Sequence, residues 1–352
     1  MLCQSGRYRY VFQTKKPDDW PVRKILILKF GALGDVVMAT PLVAAICAKH
    51  DDAHCSLLTT PAFAPLFSGW KDLHVVAIDR HGLRNLWHML RFIRAGEFER
   101  IYDLQGNDRS GLLLALAGRS EKVGIHPRFP YTHHPDEKWD GQSHIFSRMR
   151  AVLESAGVGD VSDRPVLLVD DAMVTRVAQW LEKNALARGR FALLHAGASP
   201  TRPGKRWPYF DALAQRLLAA GIEVVWLGGE SDRDLNRRLA RNGGIDAAGA
   251  FTIVELAELG RSARFAVTND SGPMHVLSAA GIPVFGLFGP SDWRRNHALG
   301  QANRVITPDN TGSASVASTG GDIANIPVDE VWQRLLDERL LDDPTVPGDL
   351  SR

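Results

Sequence analysis

The feature that most limits how this chain can fold is an alternation that starts afresh near its middle. Short, nearly continuous apolar runs are each followed by a longer stretch of helical period. A strand that reads as an unbroken apolar run is covered on both faces, and covering both faces is the work of crossover helices between parallel strands. The first half predicts strands at 24–30, 55–59, 74–78, 100–104 and 122–125, with helices at 36–49, 84–95, 110–117 and 144–156. The second half predicts strands at 191–195, 222–227, 265–268 and 283–288, with helices at 208–220, 231–242, 253–262 and 272–280. A helix at 328–341 closes the pattern and 342–352 reads as a frayed tail. Both halves open alike, with a strand, a glycine-bearing loop and a helix: KILILKFGALGDVV and FALLHAGASPTRPGKRWP. The expectation is an α/β protein of two Rossmann-like domains with parallel sheets, 1–172 and 173–341, joined through 165–189 and facing each other over a cleft. Ligands of open α/β sheets sit beyond the carboxyl ends of the strands, where both glycine loops fall.

Composition excludes several classes. The 352 residues suffice for two domains with real cores, and 45% are hydrophobic. Lys and Arg number 42 against 40 Asp and Glu, a net charge of +2 that argues against a nucleic-acid partner. Cys3, Cys47 and Cys55 cannot all pair and show no metal-ligand spacing, which fits a reduced, cytoplasmic compartment. The apolar stretch 36–47 is broken by Thr40 and Pro41 and is too short to span a bilayer. Arg7, Arg9, Lys15 and Lys16 sit where a signal peptide would need an apolar run, so none is expected. The segment 1–30 holds seven basic and two acidic residues. It reads either as a flexible basic leader or as a contribution to peripheral contact with an anionic membrane face.

Five strand-end segments can carry chemistry. In Gly31-Ala32-Leu33-Gly34-Asp35 the glycines permit a tight turn and close approach of a ligand, while Asp35 is either the cap of the next helix or a catalytic base. Lys205-Arg206-Trp207-Pro208 puts two cations in a loop leading to a helix, with Pro208 suited to its first turn. The pair can clamp a diphosphate or simply be solvated. In Asn269-Asp270-Ser271-Gly272-Pro273-Met274-His275, Ser271 suits a cap ahead of Gly272 and Pro273, and an exposed helix N-terminus there attracts an anion. His275 lies one turn further on. Glu230, after Gly228-Gly229, can accept hydrogen bonds from a ribose diol. Gln105 and Arg109 lie in a polar loop able to meet a hydroxylated substrate. His126, His133, His134 and His144 are irregularly spaced and read as a polar loop rather than a metal site. The G-x-G-x-x-G fingerprint of dinucleotide enzymes is missing, which disfavours an oxidoreductase.

Taken together, ILILKFGALGDVVMATPLVAAI, YDLQGNDRSGLLLALAGRSEKVGIH, HAGASPTRPGKRWP, VVWLGGESDRD and VTNDSGPMHVLSAAGIPVFGLFGPSD resemble glycosyltransferase family 9, the heptosyltransferases of lipopolysaccharide core assembly. The resemblance runs in the family's order over most of the chain. It implies the GT-B fold, with an acceptor-side first domain and a nucleotide-sugar-binding second one. It further implies inverting transfer of a sugar, normally from ADP-heptose, to a lipid-linked oligosaccharide acceptor, with no cofactor and no obligatory metal. By the same resemblance Asp35 is the base, Lys205 contacts phosphate, Glu230 binds ribose, and Asp270, Ser271, Gly272 and His275 form the donor loop. Gly31 and Gly34 fit the acceptor-side loop, although this chain has Gly31-Ala32 where many members carry Ser or Thr before Leu-Gly-Asp. A nucleotide-sugar epimerase and a non-catalytic nucleotide-sugar-binding module are the alternatives.

Overall fold

The computed structural model describes residues 11–12, 23–136, 141–199, 201–308 and 321–341. Most of the basic leader, Cys3 and the tail at 342–352 lie outside the described residues. The chain divides into two compact units, Met1–Asp170 and Asp171–Arg352.

In the N-terminal unit the elements are β1 (Val11–Phe12), β2 (Lys24–Leu28), α1 (Leu33–Lys49), β3 (His54–Thr59), β4 (Leu73–Ala77), α2 (Leu83–Gly96), β5 (Arg100–Asp103), α3 (Asp108–Ala115), β6 (Glu121–Val123) and α4 (Ile145–Glu154). The sheet order is β1-β4-β3-β2-β5-β6, with only the edge strand β1 antiparallel, pairing Val11 with Val76. Ile25, Leu26, Ile27 and Leu28 of the central β2 are fully buried, each worth about 2 kcal/mol of apolar transfer. The pleat sends Leu26 and Leu28 to one face, where they meet Met89 and Ile93 of α2 and Leu113 and Leu114 of α3. Ile25 and Ile27 face the other way.

The C-terminal unit holds α5 (Asp171–Lys183), β7 (Phe191–His195), α6 (Phe210–Ala219), β8 (Glu223–Trp226), α7 (Arg233–Ala240), β9 (Ile245–Asp246), α8 (Ile253–Ser262), β10 (Phe265–Asn269), α9 (Gly272–Ser278), β11 (Val284–Leu287), α10 (Trp293–Asn296), β12 (Val305–Ile306) and α11 (Val328–Asp337). Its sheet is parallel throughout, in the order β12-β11-β10-β7-β8-β9. Alternate residues of β7 feed two cores. Ala192 and Leu194 pack with Phe210 and Leu217 of α6 and Leu335 of α11. Phe191 and Leu193 pack with Leu259 of α8, Leu277 of α9 and Val177 of α5.

The region 165–189, read as joining the two domains, contains α5, a helix not predicted from the sequence. Only Val177 of it is fully buried, too narrow a stripe to read from sequence, yet Trp180 meets Phe251 edge-on at 5.0 Å and Arg176 pairs with Glu255 at 2.5 Å. The short edge strands β1, β9 and β12 likewise carry too few residues to show a period.

Both sheets reverse their winding direction beside the first strand of each βαβ series, between β2 and β5 in one unit and between β7 and β10 in the other. Such a topological switch point opens a crevice at the strand ends, because the two flanking loops lead to helices on opposite faces. The loops after β2, β5, β7 and β10 therefore decide what each unit can bind.

Candidate active site

At the N-terminal switch point, β2 runs into Gly31 at φ +138°, a conformation open to glycine. A side chain there would also meet Phe63 Cε2 at 2.9 Å. The Phe30 N–H donates to Gln105 Oε1 at 2.9 Å, tying the loop after β2 to the loop after β5. Helix α1 begins at Leu33 with Ala32 at its N-cap, so Asp35 is not the cap but the third residue of the first turn. Gly34 is a buried helical residue rather than part of the turn. Among the described residues none hydrogen-bonds to the Asp35 carboxylate, which is half-buried and favoured there by the helix dipole.

Close to Asp35 lies a cation that sequence reasoning passed over. Lys29 is 2% exposed and donates from Nζ to the Leu104 carbonyl at 3.1 Å. Burial pulls its pKa down and Arg148 adds to the lowering, while Asp35 and Asp103 pull it up. Asp103, also buried, accepts hydrogen bonds from Gln105 N (3.0 Å), Gly106 N (2.9 Å), Ser110 Oγ (2.7 Å) and the Tyr131 hydroxyl (2.6 Å). Burial, reinforced by Asp103, pushes the Tyr131 hydroxyl well above the usual tyrosine range, so it stays a donor. This network shapes the loop that carries Gln105 and Arg109. Both line a pocket of about 170 Å³ with Phe30, Arg80, His81 and Asn107. His144, one of the four scattered histidines, caps α4 by accepting from the Phe146 N–H at 3.2 Å.

At the C-terminal switch point the expected residues hold one another. Lys205 ends a short 3₁₀ turn, Pro203–Lys205, and its Nζ pairs with Asp270 Oδ2, which also accepts from Ser291 Oγ at 2.6 Å. Pro208 is not in the first turn of α6, which starts at Phe210 with Tyr209 as its N-cap. Asn269, fully buried at the end of β10, joins the two loops: Oδ1 accepts from Trp207 N, and Nδ2 donates to the Ala196 and Gly197 carbonyls, all at 3.0 Å. Arg206 is exposed beside this knot.

Ser271 occupies the N-cap of α9, ahead of Gly272 and Pro273, but its hydroxyl does not cap. It engages His195 Nδ1 at 3.1 Å and the Asn269 carbonyl at 3.1 Å. His195 Nε2 in turn lies 3.8 Å from Asp232 Oδ2. Space for Asp232 depends on two glycines, because a side chain at Gly197 would strike its carboxylate and one at Gly228 would come within 2.6 Å of its Cβ. Burial works to raise the Asp232 pKa, but His195, the Gly229 N–H and Arg206 together outweigh it and hold the group below 3.8. Glu230 is exposed and paired with Arg233 at 2.5 and 2.9 Å, which lowers its pKa. His275 is buried in α9.

Sequence reasoning missed Lys29, His195 and Asp232 as parts of the site. Lys29 and His195 had a usable signal: each is a polar residue in an otherwise apolar strand run, a position that requires burial and hence a partner. Asp232 had none, since it sits in a charge-rich segment like any solvated turn.

Two Rossmann-ordered units, each with polar loops at its switch point, define a protein built to bind nucleotide-type or sugar-type ligands. The comparisons give the family. The family model for glycosyltransferase family 9 (heptosyltransferase) matches residues 86–319, and the chain belongs to that family. Lys205, Glu230 and Asp270–His275 fall inside the match, whereas Gly31–Asp35 precedes it. Lipopolysaccharide heptosyltransferase 2 of Escherichia coli K12 is 25% identical over 322 residues, covering 80% of this chain and 87% of that one. Among solved structures, the glycosyl transferase family 9 protein from Veillonella parvula superposes with a TM-score of 0.76 at 21% identity, over 92% of this chain and 98% of the other. The E. coli ADP-heptose lipopolysaccharide heptosyltransferase II superposes with a TM-score of 0.69 at 20% identity, over 90% and 99%. The protein is thus a glycosyltransferase with the GT-B fold.

Proposed function

We propose that this enzyme transfers a heptose from an ADP-activated donor to a lipopolysaccharide core or similar lipid-linked glycan, inverting the anomeric centre. The observation that carries the reading is the placement of complementary groups at the two switch points: a carboxylate, Asp35, in one unit, and the Lys205, Arg206 and Ser271 loops in the other. The names of the relatives supply the sugar, the nucleotide and the acceptor class.

In this reading the donor diphosphate lies against Ser271, the first N–H groups of α9 and the side chains of Lys205 and Arg206. Asp270 and Ser291 hold Lys205 in place, and the Asp232–His195 pair orients the Ser271 hydroxyl. Glu230 leaves Arg233 to accept the ribose hydroxyls. On the acceptor side Gln105 and Arg109 position the glycan beside the Gly31 loop. Asp35 takes the proton from the acceptor hydroxyl as its oxygen bonds to the anomeric carbon. The bond from that carbon to the phosphate oxygen breaks and ADP departs. The growing charge on the phosphate is met by cations and N–H groups already in position, so their effect is larger in the transition state than in the ground state. The scheme calls on no metal ion.

The test is mass spectrometry of products from ADP-heptose mixed with truncated lipid-linked acceptors. One added heptose on the acceptor is expected, with release of ADP. Conversion of the donor without acceptor would replace this reading with an epimerase, and intact donor in every mixture would leave a binding module.

A further inference from the structure

The solvent face of α2 does not look like an ordinary solvated helix face. Residues 80–96 contain Arg80, Arg84, Arg91 and Arg94, with His81 and His88, and no Asp or Glu. Leu83 is 85% exposed and Trp87 is 56% exposed, and both lie on the same face as Arg84 and Arg91 by their spacing. The Arg91 guanidinium sits 5.5 Å from the Trp87 ring centre. The opposite face is fully used, because Met89 and Ile93 are buried in the core. Helix α3 lies on the same side of the sheet and adds Leu112 and Leu116, 60% and 48% exposed. The Leu116 carbonyl accepts from Arg94 Nε at 2.8 Å, so the two helices adjoin. Several exposed arginines on other helices are matched locally by acids, Arg233 by Glu230, Arg237 by Asp234 and Arg150 by Glu154, whereas within α2 there is no acid to match them.

We propose that the outer face of α2, extended by α3, is the surface by which the enzyme docks on an anionic lipid bilayer. An amphipathic helix that shows only positive charge beside Trp and Leu is suited to a negatively charged interface: the indole and leucine enter the headgroup boundary and the arginines remain at the phosphates. The surface complements a membrane and would be a poor match for a protein patch of mixed charge. The Arg80 end of this segment also lines the pocket shared with Gln105 and Arg109, so docking would present that pocket to a lipid-linked acceptor. In that last respect the inference rests on the acceptor proposed above; the docking itself does not.

The experiment is co-sedimentation of the full chain with vesicles of phosphatidylglycerol and phosphatidylcholine, and with phosphatidylcholine alone, in the absence of any acceptor. Binding to the anionic vesicles alone is expected, weakening as salt is raised. Leu83→Ser with Trp87→Ser should reduce partitioning by about tenfold or more, since two apolar side chains lose their burial. Arg84→Ala and Arg91→Ala should each reduce it about fivefold. All four side chains are exposed, so the variants should unfold at the wild-type temperature. Absence of binding to anionic vesicles would overturn the proposal, and so would equal binding by wild type and variants. Self-association without lipid that the Leu83/Trp87 variant abolishes would make the face a contact between copies and equally overturn it. Failure of heptose transfer with vesicle binding intact would count against the acceptor reading and leave the surface standing.

Discussion

The two switch points solve the same geometric problem in opposite ways. In the N-terminal unit Asp35 carries no hydrogen bond among the described residues, and the dense network around Asp103 lies one strand away, shaping the loop of Gln105 and Arg109. In the C-terminal unit Lys205 is held by Asp270, Ser271 by His195 and the two loops by Asn269, while Arg206 is exposed and Glu230 pairs with Arg233 at the surface. The contrast fits a division of labour. A base must be open to its substrate's proton, whereas groups that meet a diphosphate gain from being fixed before it arrives, since no reorganisation is then needed as charge develops.

Four substitutions or conditions press on this comparison. The largest effect is expected for Asp35→Asn, which should cut turnover by about 10²-fold or more while calorimetric ADP affinity stays unchanged. Turnover near wild type would remove Asp35 as the base and with it the contrast. Asn269→Ala should cost about 2 kcal/mol of stability, read from urea unfolding, because buried partners at Trp207, Ala196 and Gly197 lose their hydrogen bonds. A neutral result would mean that the C-terminal loops are not held by this residue. Lys205→Ala should weaken ADP binding about tenfold, the loss of one charge-assisted contact, and should also lower the unfolding midpoint, because the buried Asp270 carboxylate keeps only Ser291. Equal ADP affinity in wild type and variant would take Lys205 out of the donor site.

The smallest effect concerns pH. The Asp232 carboxyl is held below its ordinary value of 3.8 in the folded chain. Its contribution to stability is therefore present in full above that value and is lost as pH falls through the lower, folded pKa. Urea midpoints should decline as pH falls below 3.8, and Asp232→Asn should flatten part of that decline. An identical slope in the variant would show that the Asp232–His195 contact contributes nothing measurable.

Much of this was legible before any coordinates. The strands at 191–195 and 265–268 and the helix at 253–262 fall within a residue of their structural bounds, because a continuous apolar run or a clean capping box such as Thr252–Glu255 leaves little freedom. Asp35, Lys205 and Ser271 could be picked out since they follow such runs. Their local roles could not. Asp35 looked like a cap and Ala32 holds that place; Ser271 holds the cap position yet spends its hydroxyl on His195. A hydroxyl or carboxylate near a helix start has several acceptors and donors in reach, and which it takes depends on neighbours distant in sequence.

The sequence by itself determined the alternation of buried strands and crossover helices, the restart near the middle, and the placing of glycines and polar residues at strand ends, since each follows from local periodicity and backbone freedom. Only the tertiary structure decided that His195 and Ser271, 76 residues apart, share a hydrogen bond and that Asp232 fits between Gly197 and Gly228. It likewise decided that Lys29 is buried close to Asp35 and that the basic, apolar face of α2 remains uncovered. Periodicity shows which residues turn inward; packing alone determines what they meet there and which faces stay open to water.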